Sequence, residues 1–221
     1  MFDFFKKRKA AEPVPTTPET TAPETSILRD FLGDPKYTEI HQQLIAASKF
    51  LNVQLPSIYL VDYMANIEDE NGNMMLCAMD SIGVNDAPID AGYVLAHFDH
   101  NSHIILHGMY VPYHKRELTD AERLFLLLHE LRHLWQFAYH SDAYYSAPNA
   151  VNELEHLNDL SEIDADAFAL AYMRTHTTYP ETDYFPLVGT MFVCDSGQRF
   201  LRTEEVIKTE FATAPHSGGK L

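Results

Sequence analysis

The sequence predicts an α+β domain: a small antiparallel or mixed sheet packed on one buried helix, with a second helix beside it. Three observations carry this. Short strand-like runs fill the stretch from about residue 57 to residue 109. A long Leu-rich run, apolar on most faces, follows them, and a further helical run with Ala on one side comes after that. Strands grouped before helices indicate α+β rather than the alternation of an α/β sheet.

With 221 residues, the chain is long enough for one ordinary domain with a sizeable core. Hydrophobic content of 46% with 22% charged residues is that of a globular protein. Acidic residues outnumber basic ones 32 to 16, a net charge of −16. Phosphate binding needs a basic surface, so nucleic acid is excluded as the expected partner. Cys77 and Cys194 are too few for a disulfide framework and form no CxxC pair. They read as small apolar residues, and two free thiols point to a reducing, cytoplasmic location. No apolar run reaches bilayer-spanning length.

The first 26 residues are expected to be a disordered tail. Residues 10–26 (AAEPVPTTPETTAPETS) carry almost no large apolar side chain and cannot repay their ordering entropy. The start, with three Phe ahead of Lys6 to Lys9, reverses the order of a secretory signal and suggests at most a peripheral membrane tether. The folded body should run over 27–211, leaving 212–221 as a second flexible tail.

Within the body, Pro35 to Leu51 places Ile40, Leu44, Ile45 and Phe50 at helical spacing. Ser57 to Tyr63 reads as a strand, Asn71-Gly72-Asn73 as a turn, and Met74 to Met79 as another strand. Tyr93 to Phe98 and His103 to Met109 form a predicted hairpin across Asp99-His100-Asn101-Ser102. Thr119-Asp120-Ala121-Glu122 is then a capping box opening the Leu-rich helix. Asp159-Leu160-Ser161-Glu162 offers a second box for a helix through about Met173.

The chemistry is concentrated in His129-Glu130-Leu131-Arg132-His133. Two His four apart project from one helical face, one turn apart, and can share a tetrahedral metal ion. Glu130 lies a third of a turn round, suited to hold the water that the metal activates rather than the metal itself. With 12 His and 16 Glu, H-E-x-x-H arises by chance in roughly one such chain in twenty. The Leu-rich flanks raise its weight, because a buried carboxylate and two buried imidazoles need partners. The third ligand is expected from the next helix, where Glu162 and Asp166 share a face with Ala165 and Ala169. Glu162 would ligate zinc. Asp166 would accept from the far nitrogen of a ligand His and fix its tautomer.

His129-Glu130-x-x-His133 followed by Glu162-x-x-Ala165-Asp166-x-Phe168-Ala169 resembles the gluzincin metallopeptidases, and most closely the ImmA/IrrE-type domain. The resemblance spans roughly residues 90 to 175, and the spacing of 29 residues (162 − 133) is in keeping with it. It implies a zincin-like fold, a zinc cofactor and a peptide or protein substrate. It also implies hydrolysis by Glu130-assisted attack of water polarised by zinc on His129, His133 and Glu162. Arg132 departs from the usual Gly, and the connection from His140 to Leu157 is particular to this chain. No helix-turn-helix segment is apparent, so a repressor-cleaving role does not carry over.

Tyr144, Tyr145, His140 and His156 are candidate donors to the oxyanion, and His103 to Met109 is a candidate edge for an extended peptide. His97, His100, His103 and His107 form a rival metal cluster, since alternation would put His103 and His107 on one face. The competing function is a non-catalytic zinc-binding sensor or interaction module with the same ligands. Glu130 separates the two, because a structural site has no use for a general base and closes with a fourth ligand.

Overall fold

The computed structural model describes residues 28–68, 74–79, 92–111, 116–140, 160–184 and 203–207. Strand β1 (Arg29–Asp30) leads through a 3-10 turn at Pro35–Tyr37 into α1 (Thr38–Leu51). Strands β2 (Ser57–Val61), β3 (Tyr63–Glu68), β4 (Met74–Met79), β5 (Gly92–Val94), β6 (Ala96–Asp99), β7 (Ile104–Gly108), β8 (Tyr110–Val111) and β9 (Arg116–Glu117) follow. Two long helices follow, α2 (Asp120–Tyr139) and α3 (Leu160–His176), then a 3-10 turn at Glu181–Asp183 and a helical turn at 203–206. The architecture is mixed α+β, as the sequence predicts.

The main sheet has the order β1-β2-β7-β6, with β2 and β7 parallel and both outer pairings antiparallel. A three-stranded sheet, β4-β3-β5, takes up the chain after Asp62, and the chain returns to the main sheet at the buried Leu95. The predicted hairpin is therefore split. Its first strand divides into β5 and β6, which pair in different sheets. Its second strand, β7, lies inside the main sheet rather than at an edge. The edge expected at His103 to Met109 belongs instead to β6, because β2 covers the other side of β7.

Local signals set the helix ends. Asp34 accepts from the Lys36 amide (2.9 Å) to open the 3-10 turn, and Asn52, at φ 54°, terminates α1 in the left-handed region that Asn tolerates. The Thr119 box forms in full, with Glu122 N–H donating to Thr119 Oγ1 (3.2 Å) and Thr119 N–H to Glu122 Oε2 (2.8 Å). Arg116 adds two bonds to the same carboxylate (2.7 and 2.5 Å). Burial disfavours the Glu122 charge, but Arg116 and the cap hold its carboxyl below the usual range.

The core is where α2 meets the sheet. Ile58, Leu60, Phe98 and Ile105 of the sheet bury against Leu124, Phe125, Leu127, Leu128 and Leu131. Ile40, Leu44 and Ala47 of α1 and Phe168, Leu170 and Met173 of α3 complete it. Ala165 and Ala169, one turn apart on α3, are fully buried, and side chains that small let packed helices lie close together. Among the described residues no helix is long and apolar enough to cross a membrane.

His107 is fully buried, and neither ring nitrogen has a hydrogen-bond partner. The nearby Leu95 carbonyl already accepts from Gly108 N–H at 2.7 Å. Burial first, then the charge of Arg123, pushes the imidazole pKa well below its ordinary value, so His107 is neutral. Orphaned polar atoms in a core are costly, and His107→Leu is expected to raise the unfolding free energy by about 1 kcal/mol at neutral pH in urea titrations. The gain should widen below the unfolded His pKa of about 6.5, where only the unfolded wild type takes up the proton.

Candidate metal centre

Because α2 is apolar on most faces, it lies against both the sheet and α3, and several of its polar side chains are buried with it. His129 and His133 stand one turn apart with ring centroids at 4.6 Å. Glu162, in the first turn of α3, faces both. Its Oε2 lies 3.2 Å from His129 Nε2, and its Oε1 lies 3.3 Å from His133 Nε2. The two Nε2 atoms are 3.0 Å apart. These are the described His, Cys, Asp or Glu residues that converge as a potential metal-binding group.

The spacing suits zinc. Four ligands at 2.0–2.1 Å in a tetrahedron lie about 3.3 Å from one another, close to the three separations here. The donor chemistry fits as well. His129 Nδ1 donates to Asp166 Oδ1 (2.9 Å) and His133 Nδ1 to Gln136 Oε1 (2.8 Å), so a metal that displaces the Nε2 proton meets a lone pair on each ring at the shared point. His129, His133 and Glu162 are largely buried, with 12, 8 and 15% of their side chains exposed.

The electrostatics are those of cation ligands brought together. Burial disfavours the charged His129, yet the hydrogen bonds and charges of Asp166 and Glu162 outweigh it and raise its pKa to about 10. Burial likewise opposes protonation of His133, and Glu162 reverses it, so that pKa is raised. Burial would lift the Glu162 pKa, but the two imidazoles hold it well below the usual carboxylate range. A divalent cation would take over the role those protons play.

Glu130 is 93% buried, being 7% exposed, and does not join this group. Its Oε2 accepts from the Phe98 backbone N–H at 2.7 Å. In the β6–β7 ladder Gly108 N–H donates to the Leu95 carbonyl (2.7 Å). With the two-residue period of a strand, His97 then faces β7 while Ala96 and Phe98 turn their backbone groups to the outer side. Among the described residues, no strand pairs with β6 on that side.

Behind the candidate ligands lies a polar chain that the sequence reading did not foresee. Arg132 is buried, stacked on Trp135 at 3.6 Å, and bonded to both oxygens of buried Asp164 (2.7 and 3.0 Å). Gln136 Nε2 donates to Asp164 Oδ2 and to the Ser161 carbonyl, each at 2.8 Å. Arg132 thus stands where the resemblance expects Gly because α3 supplies it a carboxylate. A signal was present: Arg132 and Gln136, four apart, share a face.

The rival cluster does not form. His107 is in the core, whereas His103 is exposed and sits in the turn at φ 58°, which breaks the alternation that would align them. His100 and His103 pack against Phe137 instead (5.6 and 6.3 Å between centroids). His140 packs against Trp135 with the rings tilted at 49° and 4.5 Å apart, about 10 Å along the helix from His133 by helical rise, and is set aside as an oxyanion donor. Tyr144, Tyr145, His156, Asp159, Cys194, the Asn71-Gly72-Asn73 turn and both expected tails lie outside the described residues. Comparison of the chain with protein-family models, with curated proteins and with solved structures finds no match.

Proposed function

We propose that the protein is a zinc-dependent peptidase of zincin-like architecture, with His129, His133 and Glu162 as ligands and Glu130 as general base. One observation carries the reading. A carboxylate outside the ligand set is buried beside it, anchored through Oε2 to the outermost described strand of a sheet. A closed structural site would not need that arrangement.

When bound, zinc would supply Lewis acidity and lower the pKa of a water toward neutrality. Glu130, oriented by the Phe98 N–H, accepts a proton from the attacking water and passes it to the leaving nitrogen. The outward backbone groups of Ala96 and the Phe98 carbonyl offer strand pairing to an extended peptide, which places its scissile bond beside Glu130. An acidic protein with an edge strand of four residues suits a restricted protein substrate better than broad digestion.

The test is zinc content together with cleavage of peptide libraries by wild type and Glu130→Gln. We expect about one zinc in both proteins, with cleavage reduced about 10²- to 10⁴-fold in the variant. Equal inertness of two zinc-loaded proteins would overturn the peptidase reading and leave a zinc-binding module.

A further inference from the structure

We propose that Gln136, clamped by Asp164 and Arg132, is a positioning residue that keeps the proton of His133 on Nδ1 and so presents Nε2 to the metal. The proposal rests on the metal-site reading above and extends it to residues outside the ligand motif. Gln136 faces three groups at 2.8 Å: His133 Nδ1, the Ser161 carbonyl and Asp164 Oδ2. The last two can only accept, so both must meet the amide NH₂. The amide oxygen is then left for His133, and an oxygen demands a donor. His133 Nδ1 therefore carries the hydrogen, and its Nε2 offers a lone pair.

Arg132 makes the clamp directional. Its Nε and one terminal nitrogen engage both Asp164 oxygens, and its plane is held over Trp135 with Phe168 also near (3.6 and 5.5 Å). Asp164 is thereby fixed as a carboxylate in one orientation, always an acceptor toward Gln136. The two ligand imidazoles are thus oriented by different means. Asp166 supports His129 directly, whereas His133 is supported through a neutral amide. A neutral relay avoids a third carboxylate within reach of Glu162, while still ending on a charge-balanced pair.

The experiment measures zinc affinity of the full chain by chelator competition, and the visible spectrum of the cobalt(II) form, for wild type and three variants. Gln136→Met removes the acceptor and is expected to weaken zinc binding about 10- to 100-fold and to alter the cobalt spectrum. Gln136→Leu should do the same. Gln136→Glu keeps an oxygen acceptor against His133 Nδ1 and should recover at least half of that loss on a logarithmic scale. Wild-type affinity in Gln136→Met or Gln136→Leu overturns the proposal. So does a loss in Gln136→Glu as large as in the apolar variants, since it would then follow from damage to the packing and not from the missing acceptor. Should Gln136→Met fail to fold, Gln136→Leu and Gln136→Glu decide by the same criteria. Wild-type zinc binding abolished by His129→Ala reports separately on the metal site; its absence overturns the site reading itself.

Discussion

Asp164→Ala is expected to lower the unfolding free energy of the metal-free protein by about 3–5 kcal/mol, the range for removing one partner of a buried ion pair. Asp164 and Arg132 are 2% and 5% exposed, so solvent screens the pair little. The substitution leaves a guanidinium between Trp135 and Phe168 without the carboxylate that neutralises it, and takes an acceptor from Gln136. Against a total stability of about 5–15 kcal/mol, that is a large fraction. Arg132→Met should cost less, because Asp164 keeps the Gln136 donor. The double change Arg132→Met/Asp164→Leu should recover most of the loss, since apolar replacement of a buried pair is often neutral or better. Urea unfolding with chelator present measures all three. An Asp164→Ala cost below about 1 kcal/mol would show that the pair does not hold α3 to α2.

The candidate group His129, His133 and Glu162 was legible because helical geometry makes it so. His129 and His133 are tied by a four-residue period, and Glu162 and Asp166 by another, so each half of the site could be drawn before any tertiary contact was known. Capping was legible for the same reason: the Thr119 box needs only four consecutive residues. What failed was long-range. Nothing local tells which neighbour a strand will take, so β7 read as an edge although β2, over 40 residues earlier, pairs with it in parallel. The His103–His107 alternation failed through one backbone feature, the positive φ of His103, which periodicity does not register. Arg132 looked like a departure because its meaning lies on another helix.

Those failures matter for mechanism as much as for topology. The anchor of Glu130 is a backbone N–H, that of Phe98, and no side-chain pattern can announce a backbone donor. Its availability depends on β6 being outermost in the sheet, which depends in turn on the parallel insertion of β7 between β6 and β2. The same insertion buries His107 without partners. Among the described residues, one topological step thus creates both the unpaired edge beside Glu130 and the unsatisfied histidine in the core.

Zinc should stabilise the protein more as pH rises, and the metal-free protein should show the opposite trend from the same residues. His129, with its pKa raised to about 10, enters the metal-free site as an imidazolium paired with Asp166 and Glu162. Its contribution to metal-free stability is fully present below the unfolded pKa of about 6.5 and is lost as pH climbs through about 10. Zinc must displace that proton, and His133, also raised, adds to the release. Glu162 is held low and is already a carboxylate, so it contributes none. Each displaced proton is worth about tenfold in apparent affinity per pH unit, or about 1.4 kcal/mol. Between pH 6 and pH 9 one proton therefore gives about a thousandfold. Calorimetric titration with zinc in buffers of different ionisation enthalpy should count at least one proton released near neutral pH. Unfolding midpoints with buffered zinc and with chelator should diverge steadily across the same range. Asp166→Asn, which removes the charge that raises His129, should reduce both the proton count and the divergence. A gap between the two midpoints that stays constant from pH 6 to pH 9 would mean that zinc does not displace a proton from His129.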